Sequence, residues 1–297
     1  MKNLLVFDLG GTSIKYALIT KNGDILEKGI TSTPKESFTS LCEVLESIYF
    51  NFKGQNVYGI AFSSPGAVNN STGVISGVSA IPYIHNFKIK QEFEKIFNLP
   101  IVMENDGNCA ALAEYWKGSG KNSNIMASIV LGSGVGGAIV IEGELLNGKT
   151  SQTGEFGYML LEQRKTWSSL CSTTSLVQQI REITNDLTLT GEDIFSENLD
   201  LEISKNSSLK NVLEKYYFNM FKGIYSIQCS FDTDSIIIGG GISSNTVFFS
   251  KLLEYLEKFY NELDIKVNKP NIKKALFEND ANLLGAAYNF ILKNKSF

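Results

Sequence analysis

Residues 4–30 read LLVFDLGGTSIKYALITKNGDILEKGI, and this stretch decides the fold. Leu4–Phe7 is an apolar run of strand type. Asp8-Leu9-Gly10-Gly11-Thr12 turns the chain into a second run, Ser13–Ile19, in which polar and apolar residues alternate. Asn22-Gly23 is a strong hairpin signal, and Ile25–Ile30 supplies the next strand. The spacing predicts an antiparallel meander whose first turn is built of glycine.

Downstream, Leu41, Val44, Leu45 and Ile48 recur at helix spacing within Ser37–Phe52. Val57–Phe62 reads as a strand broken by Ser63-Ser64-Pro65-Gly66. Ile89–Phe97 reads as a short helix, Ile101–Met103 as a short buried strand and Asn108–Trp116 as an alanine-rich helix. Strands alternating with helices after a meander indicate a mixed α/β layer. The polar, glycine-bearing segment 118–124 is the best linker. A second unit follows: Ile125–Leu131, a glycine loop, Ala138–Ile141, and helices from about Thr173, the longest being Asn211–Ser230 and Val247–Leu263. Ser235–Ile238 is a buried strand running into Gly239-Gly240-Gly241, and Asn282–Leu292 is a closing helix. The two halves share one order, strand, glycine turn, strand, helices, which suggests a duplicated architecture. The expected domains are 1–118, completed by the closing helix 283–297, and 119–282.

At about 100–200 residues per domain, 297 residues also favour two domains. A formal net charge of -4 gives no basic field for nucleic acid, so no nucleic-acid partner is expected. Cys42, Cys109, Cys171 and Cys229 are too far apart for a C-x-x-C pair and read as small buried residues in a reducing cytosol. His85 is the only histidine, which excludes a multi-histidine metal cluster or relay, and it reads as a loop or packing residue. No apolar stretch approaches the roughly 18 residues of a transmembrane helix, and Asp8 cuts the N-terminal apolar run too short for a signal peptide. A cytoplasmic protein without a membrane partner is expected.

Three glycine-rich turns follow apolar strands: Gly10-Gly11, Gly132–Gly137 and Gly239–Gly241. Glycine lets backbone N–H groups wrap an anion with no Cβ in the way. Three such turns at strand ends argue for a polyphosphate held in a cleft between domains. Gly132-Ser133-Gly134-Val135-Gly136-Gly137 contains G-x-G-x-x-G, but the dinucleotide fingerprint needs a helix after it, and a strand and turn follow here. That context rejects a nicotinamide-dependent oxidoreductase and leaves a phosphate-cradling hairpin. Asp8, where the first strand meets its turn, either caps the turn or holds Mg²⁺ beside phosphates cradled by Gly10, Gly11 and Thr12. Lys15 either reaches those phosphates or is solvated on an exposed face.

Glu104-Asn105-Asp106-Gly107-Asn108 joins a short strand to the alanine-rich helix. Such residues cap helices. They also form a hydroxyl-binding, proton-accepting group, and a positioned carboxylate accelerates attack by an alcohol by roughly 10²–10⁴. Spacing does not choose between Glu104 and Asp106 as that base. Gly154-Glu155-Phe156-Gly157-Tyr158 is a further glycine-flanked carboxylate, suited either to a binding loop or to a solvated surface.

These residues together resemble the ROK family of sugar kinases and repressors. Asp8 to Lys15 is similar to its first phosphate motif, Ser64-Pro65-Gly66 to its sugar loop, and Glu104 to Glu114 to its catalytic signature. Leu131 to Gly137, including Gly132, Ser133, Gly134 and Gly136, resembles the second phosphate motif. Gly154-Glu155-Phe156-Gly157 resembles the sugar-contacting segment, and Gly239-Gly240-Gly241 the adenosine-side turn. The resemblance implies an actin-like ATPase fold of two ribonuclease-H-like domains, with ATP and Mg²⁺, a small-molecule sugar, and a homodimer. It assigns Asp106 as general base and Gly66, Ser79, Asn105, Glu155 and Tyr158 as sugar contacts.

The sequence departs from the family pattern at Tyr158, where a zinc-binding histidine is usual, and at Ser168, where a sugar-binding glutamate is usual. Cys171 stands without the cysteine cluster of zinc-bearing members, so no structural zinc is expected. These departures favour N-acetyl-D-mannosamine, phosphorylated to its 6-phosphate, over a glucose or β-glucoside substrate. The first phosphate motif begins at Asp8, which leaves no expected N-terminal helix-turn-helix. A non-catalytic sugar sensor on the same fold is the rival, against which the retained Asp8, Asp106 and glycine turns weigh.

Overall fold

The computed structural model describes residues 2–196, 205–264, 266–277 and 279–294. The chain divides into two units: Met1–Trp116 with Asn147–Gln152 and Asn279–Phe297, and Lys117–Leu146 with Thr153–Glu278. Elements of the first unit are β1 (Asn3–Leu9), β2 (Ser13–Thr20), β3 (Ile25–Ser32), α1 (Phe38–Phe52), β4 (Val57–Ser64), β5 (Ala67–Asn69), β6 (Val74–Ser76), α2 (Ile89–Phe97), β7 (Ile101–Asn105) and α3 (Asp106–Lys117). Those of the second are β8 (Ile125–Leu131), β9 (Val135–Ile141), β10 (Glu144–Leu145), β11 (Leu160–Glu162), β12 (Lys165–Thr166), α4 (Trp167–Cys171), α5 (Thr173–Thr184), α6 (Ser207–Phe231), β13 (Ser235–Gly239), α7 (Thr246–Asn261) and β14 (Ile272–Lys274). The closing helix α8 (Ala281–Lys293) returns to the first unit.

The meander forms as the alternation predicts, with β1–β2 and β2–β3 antiparallel. β4 and β7 then add in parallel, giving the order β3-β2-β1-β4-β7. The second unit repeats the plan as β10-β9-β8-β13-β14, again two antiparallel pairings followed by two parallel ones. The likeness of the halves is therefore one of topology.

β1 is buried at every position, as expected of a strand covered on both faces. On one face, Phe7 stacks on Phe62 at 5.3 Å and Phe62 on Phe93 of α2 at 4.5 Å between ring centroids. On the other lies α8, close enough that a Cβ on Gly59 of β4 would stand 2.1 Å from the Phe290 ring. Ser37 caps α1 by accepting from the Ser40 N–H, which explains why the predicted helix starts there. In the second unit the core gathers around Trp167, Tyr217 and Phe248.

Several boundaries differ from expectation. β4 runs on through Ser63-Ser64 and β7 through Asn105, because the two pair in parallel to their ends. β9 begins at Val135, so Gly136 and Gly137 belong to a strand instead of a loop. The space a Cβ on Gly137 would fill holds the Phe156 ring, 2.4 Å away. α3 starts at Asp106, two residues early. Cys42, Cys109 and Cys171 are buried as expected, whereas Cys229 is exposed on α6. Among the described residues, no helix is long and apolar enough to cross a membrane.

Candidate active site

Parallel pairing places the carboxyl ends of β1, β4 and β7 side by side, with Asp8 opposite Ser63 and Ser63 opposite Glu104. In open α/β sheets that edge is where ligands bind. Asp8 is 8% exposed, and its Oδ1 accepts from Ser63 Oγ at 2.7 Å and from Asn282 Nδ2, on α8, at 3.1 Å. Lys15 lies opposite Asp8 in the β1–β2 register, and its ammonium donates to the Asn279 carbonyl at 3.4 Å.

The two acids left unresolved by the sequence have different surroundings. Glu104 is 1% exposed, and both its oxygens are committed. Oε1 accepts from the Asn105 N–H and from Asn108 Nδ2, each at 2.9 Å, and Oε2 accepts from Asn70 Nδ2 at 2.8 Å. Asp106 is half-buried, the first residue of α3, and its Oδ1 accepts from the Gly107 N–H at 2.8 Å. Burial is the main cause that holds its carboxyl above the ordinary 3.8. The Gly107 N–H lowers it, and the charge of Asp8 raises it again. Asp106 is thus the carboxylate with an oxygen left free of amide donors, while Glu104 organises the amides around it.

Asn105 serves both readings of its segment. Its Oδ1 accepts from the Asn108 N–H at 3.2 Å, capping α3, while its Nδ2 donates to the Gly66 carbonyl at 3.0 Å. Gly66 has φ +93, and a Cβ there would meet Ile75, the Ser76 carbonyl and the His85 ring at 3.0 Å or less. Ser79 lies within 2.7 Å of His85 Nε2. The one histidine, expected to be a loop or packing residue, therefore contacts one of the expected sugar contacts, Ser79, and fills the space a side chain on another, Gly66, would need. No local pattern signals this, because the Pro82–Ile84 turn intervenes. Cys109, beneath the site, has its thiol pushed well up by burial and by the charges of Glu104, Asp8 and Asp106, which leaves it unreactive.

The glycine turns divide by what a side chain would meet. At Gly10 a Cβ would stand 2.7 Å from the Ser13 carbonyl, and at Gly11 2.4 Å from Ala80 Cβ, so packing alone demands glycine there; Thr12, next in the turn, is exposed. Gly240, with φ +94, lies against the Leu131 backbone. At Gly132 and Gly241 a Cβ would meet nothing within 4 Å. Those two line a hollow of about 830 Å³, with Thr173, Thr174, Glu192 and Asn245, at the carboxyl ends of β8 and β13. None of those four side chains was expected. Gly239, the last residue of β13, leads into it.

A second hollow of about 480 Å³ is lined by Gly132, Ser133, Gly134, Gly136, Glu155, Tyr158 and Ser168. The Gly154–Tyr158 segment lies flat on β9, where a Cβ on Gly157 would overlap Val135 O and Ser168 Oγ. Ser168 Oγ, on α4, accepts from the Val135 N–H at 2.9 Å, tying that helix to the hairpin. Glu155 and Tyr158 are both exposed, Tyr158 at 77%. Asp8, Gly66, Ser79, Asn105 and Asp106 thus share the first unit, and Gly132 to Gly136, Glu155, Tyr158 and Gly239 to Gly241 the second. Among the described residues, no three His, Cys, Asp or Glu side chains gather where they could hold a metal ion.

The ROK family model matches residues 5–293. A β-glucoside kinase of Listeria monocytogenes is 34% identical over 298 residues, covering 97% of each chain. The structure of a ROK family protein from Streptococcus pneumoniae in complex with sucrose superposes with a TM-score of 0.89 at 34% identity, covering 99% of this chain and 100% of that one. A Listeria monocytogenes protein described as a candidate N-acetylmannosamine kinase superposes with a TM-score of 0.85 at 32% identity, covering 98% and 99%. The duplicated mixed sheets are those of the actin-like ATPase fold, and the chain belongs to the ROK family as one of its sugar kinases.

Proposed function

We propose that this kinase transfers the γ-phosphoryl group of ATP to the 6-hydroxyl of a glucose unit, with β-glucosides as its substrate class and Asp106 as general base. The observation that carries the reading is the contrast between the two acids: Glu104 is sealed by three amide donors, and Asp106 is reachable with its proton affinity raised. Asp106 takes the hydroxyl proton as the oxygen attacks, which makes a poor nucleophile competent. Gly66, Ser79, Asn105, Glu155 and Tyr158 bind the sugar. The turn of Gly132, Ser133, Gly134 and Gly136, and that of Gly10, Gly11 and Thr12 with Lys15, hold phosphates. The hollow beside Gly239, Gly240 and Gly241 takes the adenosine.

Asp8 fits Mg²⁺, directly or through water. Ser63 and Asn282 occupy one oxygen and orient the carboxylate, and the neighbouring charge of Asp106 makes the pair seek a cation. The ion supplies charge neutralisation on the phosphates.

The β-glucoside class rests on the 34%-identical β-glucoside kinase. N-acetyl-D-mannosamine is the second reading, favoured by the relative described as a candidate kinase for it. ADP release measured over cellobiose, other β-glucosides, glucose, N-acetylglucosamine and N-acetylmannosamine tests the choice. The highest kcat/KM is expected with a β-glucoside; a preference for N-acetylmannosamine reverses it, and no sugar-dependent release overturns both.

A further inference from the structure

Just beyond Glu155 the chain becomes extended, with φ -58 and ψ 129 at Met159. Successive side chains of extended backbone face opposite ways. Met159 and Leu161 pack against the core around Trp167, and Tyr158 and Leu160 face outward, 77% and 66% exposed. The backbone that carries them is anchored. The Tyr158 and Met159 N–H groups donate to the Glu155 and Phe156 carbonyls at 3.1 and 3.0 Å, and the Trp167 N–H donates to the Met159 carbonyl at 2.8 Å. Leu160 opens β11 and pairs with Thr166 of β12. A single exposed apolar residue is ordinary on a protein surface. Here two stand at alternate positions of one anchored segment, roughly 6–7 Å apart at the rise of extended backbone. Tyr158 also lines the hollow that holds Glu155.

This outward pair offers area and little hydrogen bonding, because the Tyr158 hydroxyl is its one polar side-chain group. Phosphates and the hydroxyls of glucose gain little from such a surface. The part of a β-glucoside that gains is the aglycone, whose aromatic or aliphatic atoms are stabilised by leaving water and by packing on a ring. We propose that Tyr158 and Leu160 form a subsite for the apolar aglycone of a β-glucoside, beside the glucose unit. The inference rests on the β-glucoside reading above and adds a ranking within that class, with aryl and alkyl glucosides ahead of methyl glucoside.

The test uses the full chain, with ADP release measured on glucose and on methyl, phenyl and hexyl β-glucosides. In the wild type, kcat/KM is expected to be about tenfold higher with the phenyl and hexyl glucosides than with methyl glucoside, the scale of about two methylenes leaving water. The gain should lie in KM, with kcat within about twofold, because a contact remote from the reacting oxygen acts alike on ground and transition states. Leu160→Thr keeps a strand-forming residue at an exposed position, so the fold should be undisturbed. It should cut the preference to about threefold and leave both constants for glucose, and the KM for ATP, within about twofold. Leu160→Met and Tyr158→Phe should keep the preference, and Tyr158→Ala should lose it. An unchanged preference in Leu160→Thr, or a loss that falls alike on glucose and on the phenyl glucoside, would overturn the subsite. So would a wild type that uses all three glucosides equally. A wild type that phosphorylates glucose and no β-glucoside removes the substrate reading above, and the subsite with it.

Discussion

Replacing Asp106 with Asn separates its two proposed properties, base and buried charge. Asn keeps an acceptor oxygen for the Gly107 N–H, bonded at 2.8 Å, and nearly the same volume, so the start of α3 should survive. It cannot accept the hydroxyl proton. Loss of a positioned base costs about 10²–10⁴ in rate, which is about 2.7–5.4 kcal/mol of barrier. Sugar affinity should stay within a few-fold.

Stability should move the opposite way. The folded state raises the Asp106 carboxyl above its ordinary 3.8, chiefly through burial, so the folded protein binds that proton more tightly than the unfolded chain does. The contribution favouring the fold is complete below 3.8 and is lost as pH rises through the raised native value. At neutral pH the ionised side chain is therefore a net cost, and Asp106→Asn should melt at the same temperature or higher. Coupled ADP release with calorimetric sugar binding and thermal melts reads all three quantities. A variant that keeps more than a tenth of wild-type kcat refutes the base. One that melts lower at neutral pH refutes the electrostatic argument.

Other outcomes follow from the same geometry. The wild-type pH profile of kcat/KM should show an acid limb displaced upward from 3.8, the direction of the Asp106 shift, and a limb at the ordinary value contradicts it. Glu104→Gln turns an amide NH₂ toward the donors that Glu104 now satisfies, so it should cost about 1–3 kcal/mol of stability in urea melts. Unlike Asp106→Asn, it should retain measurable turnover. Ser168→Ala releases the Val135 N–H and should raise the KM for ATP several-fold with sugar affinity unchanged; equal effects on both would deny it a role in the phosphate hairpin. Gly66→Ala forces a Cβ into φ +93 against Ile75 and His85, and should lose about 1–3 kcal/mol, read from the urea midpoint.

The meander, the long helices and the start of the second sheet were legible because each is written locally, in alternation, in 3.6-residue spacing, or in a turn such as Asn22-Gly23. Strand ends were not. Ser63-Ser64 and Glu104-Asn105 look like loop, and they are held extended by pairing with each other across about 40 residues of chain. Gly136 and Gly137 look like turn because the ring that fills the place of a side chain belongs to Phe156. The acids and amides of the 104–108 run could be found by type, but not ranked. Only the amide of Asn70 and the edge of β4, brought in by folding, show that Glu104 is sealed and Asp106 is not. Asn282, which orients Asp8, arrives from the opposite end of the chain, and no short-range signal announces it.

The most direct test follows the phosphoryl group itself. ATP radiolabelled at the γ-phosphate is mixed with wild-type protein, Mg²⁺ and a β-glucoside at neutral pH, and the products are separated. The label should appear in a glucoside phosphate, with the phosphate on the 6-oxygen by phosphorus–proton NMR coupling, and not with Asp106→Asn. Label recovered only as ATP or inorganic phosphate, or equal transfer by the variant, would contradict the account.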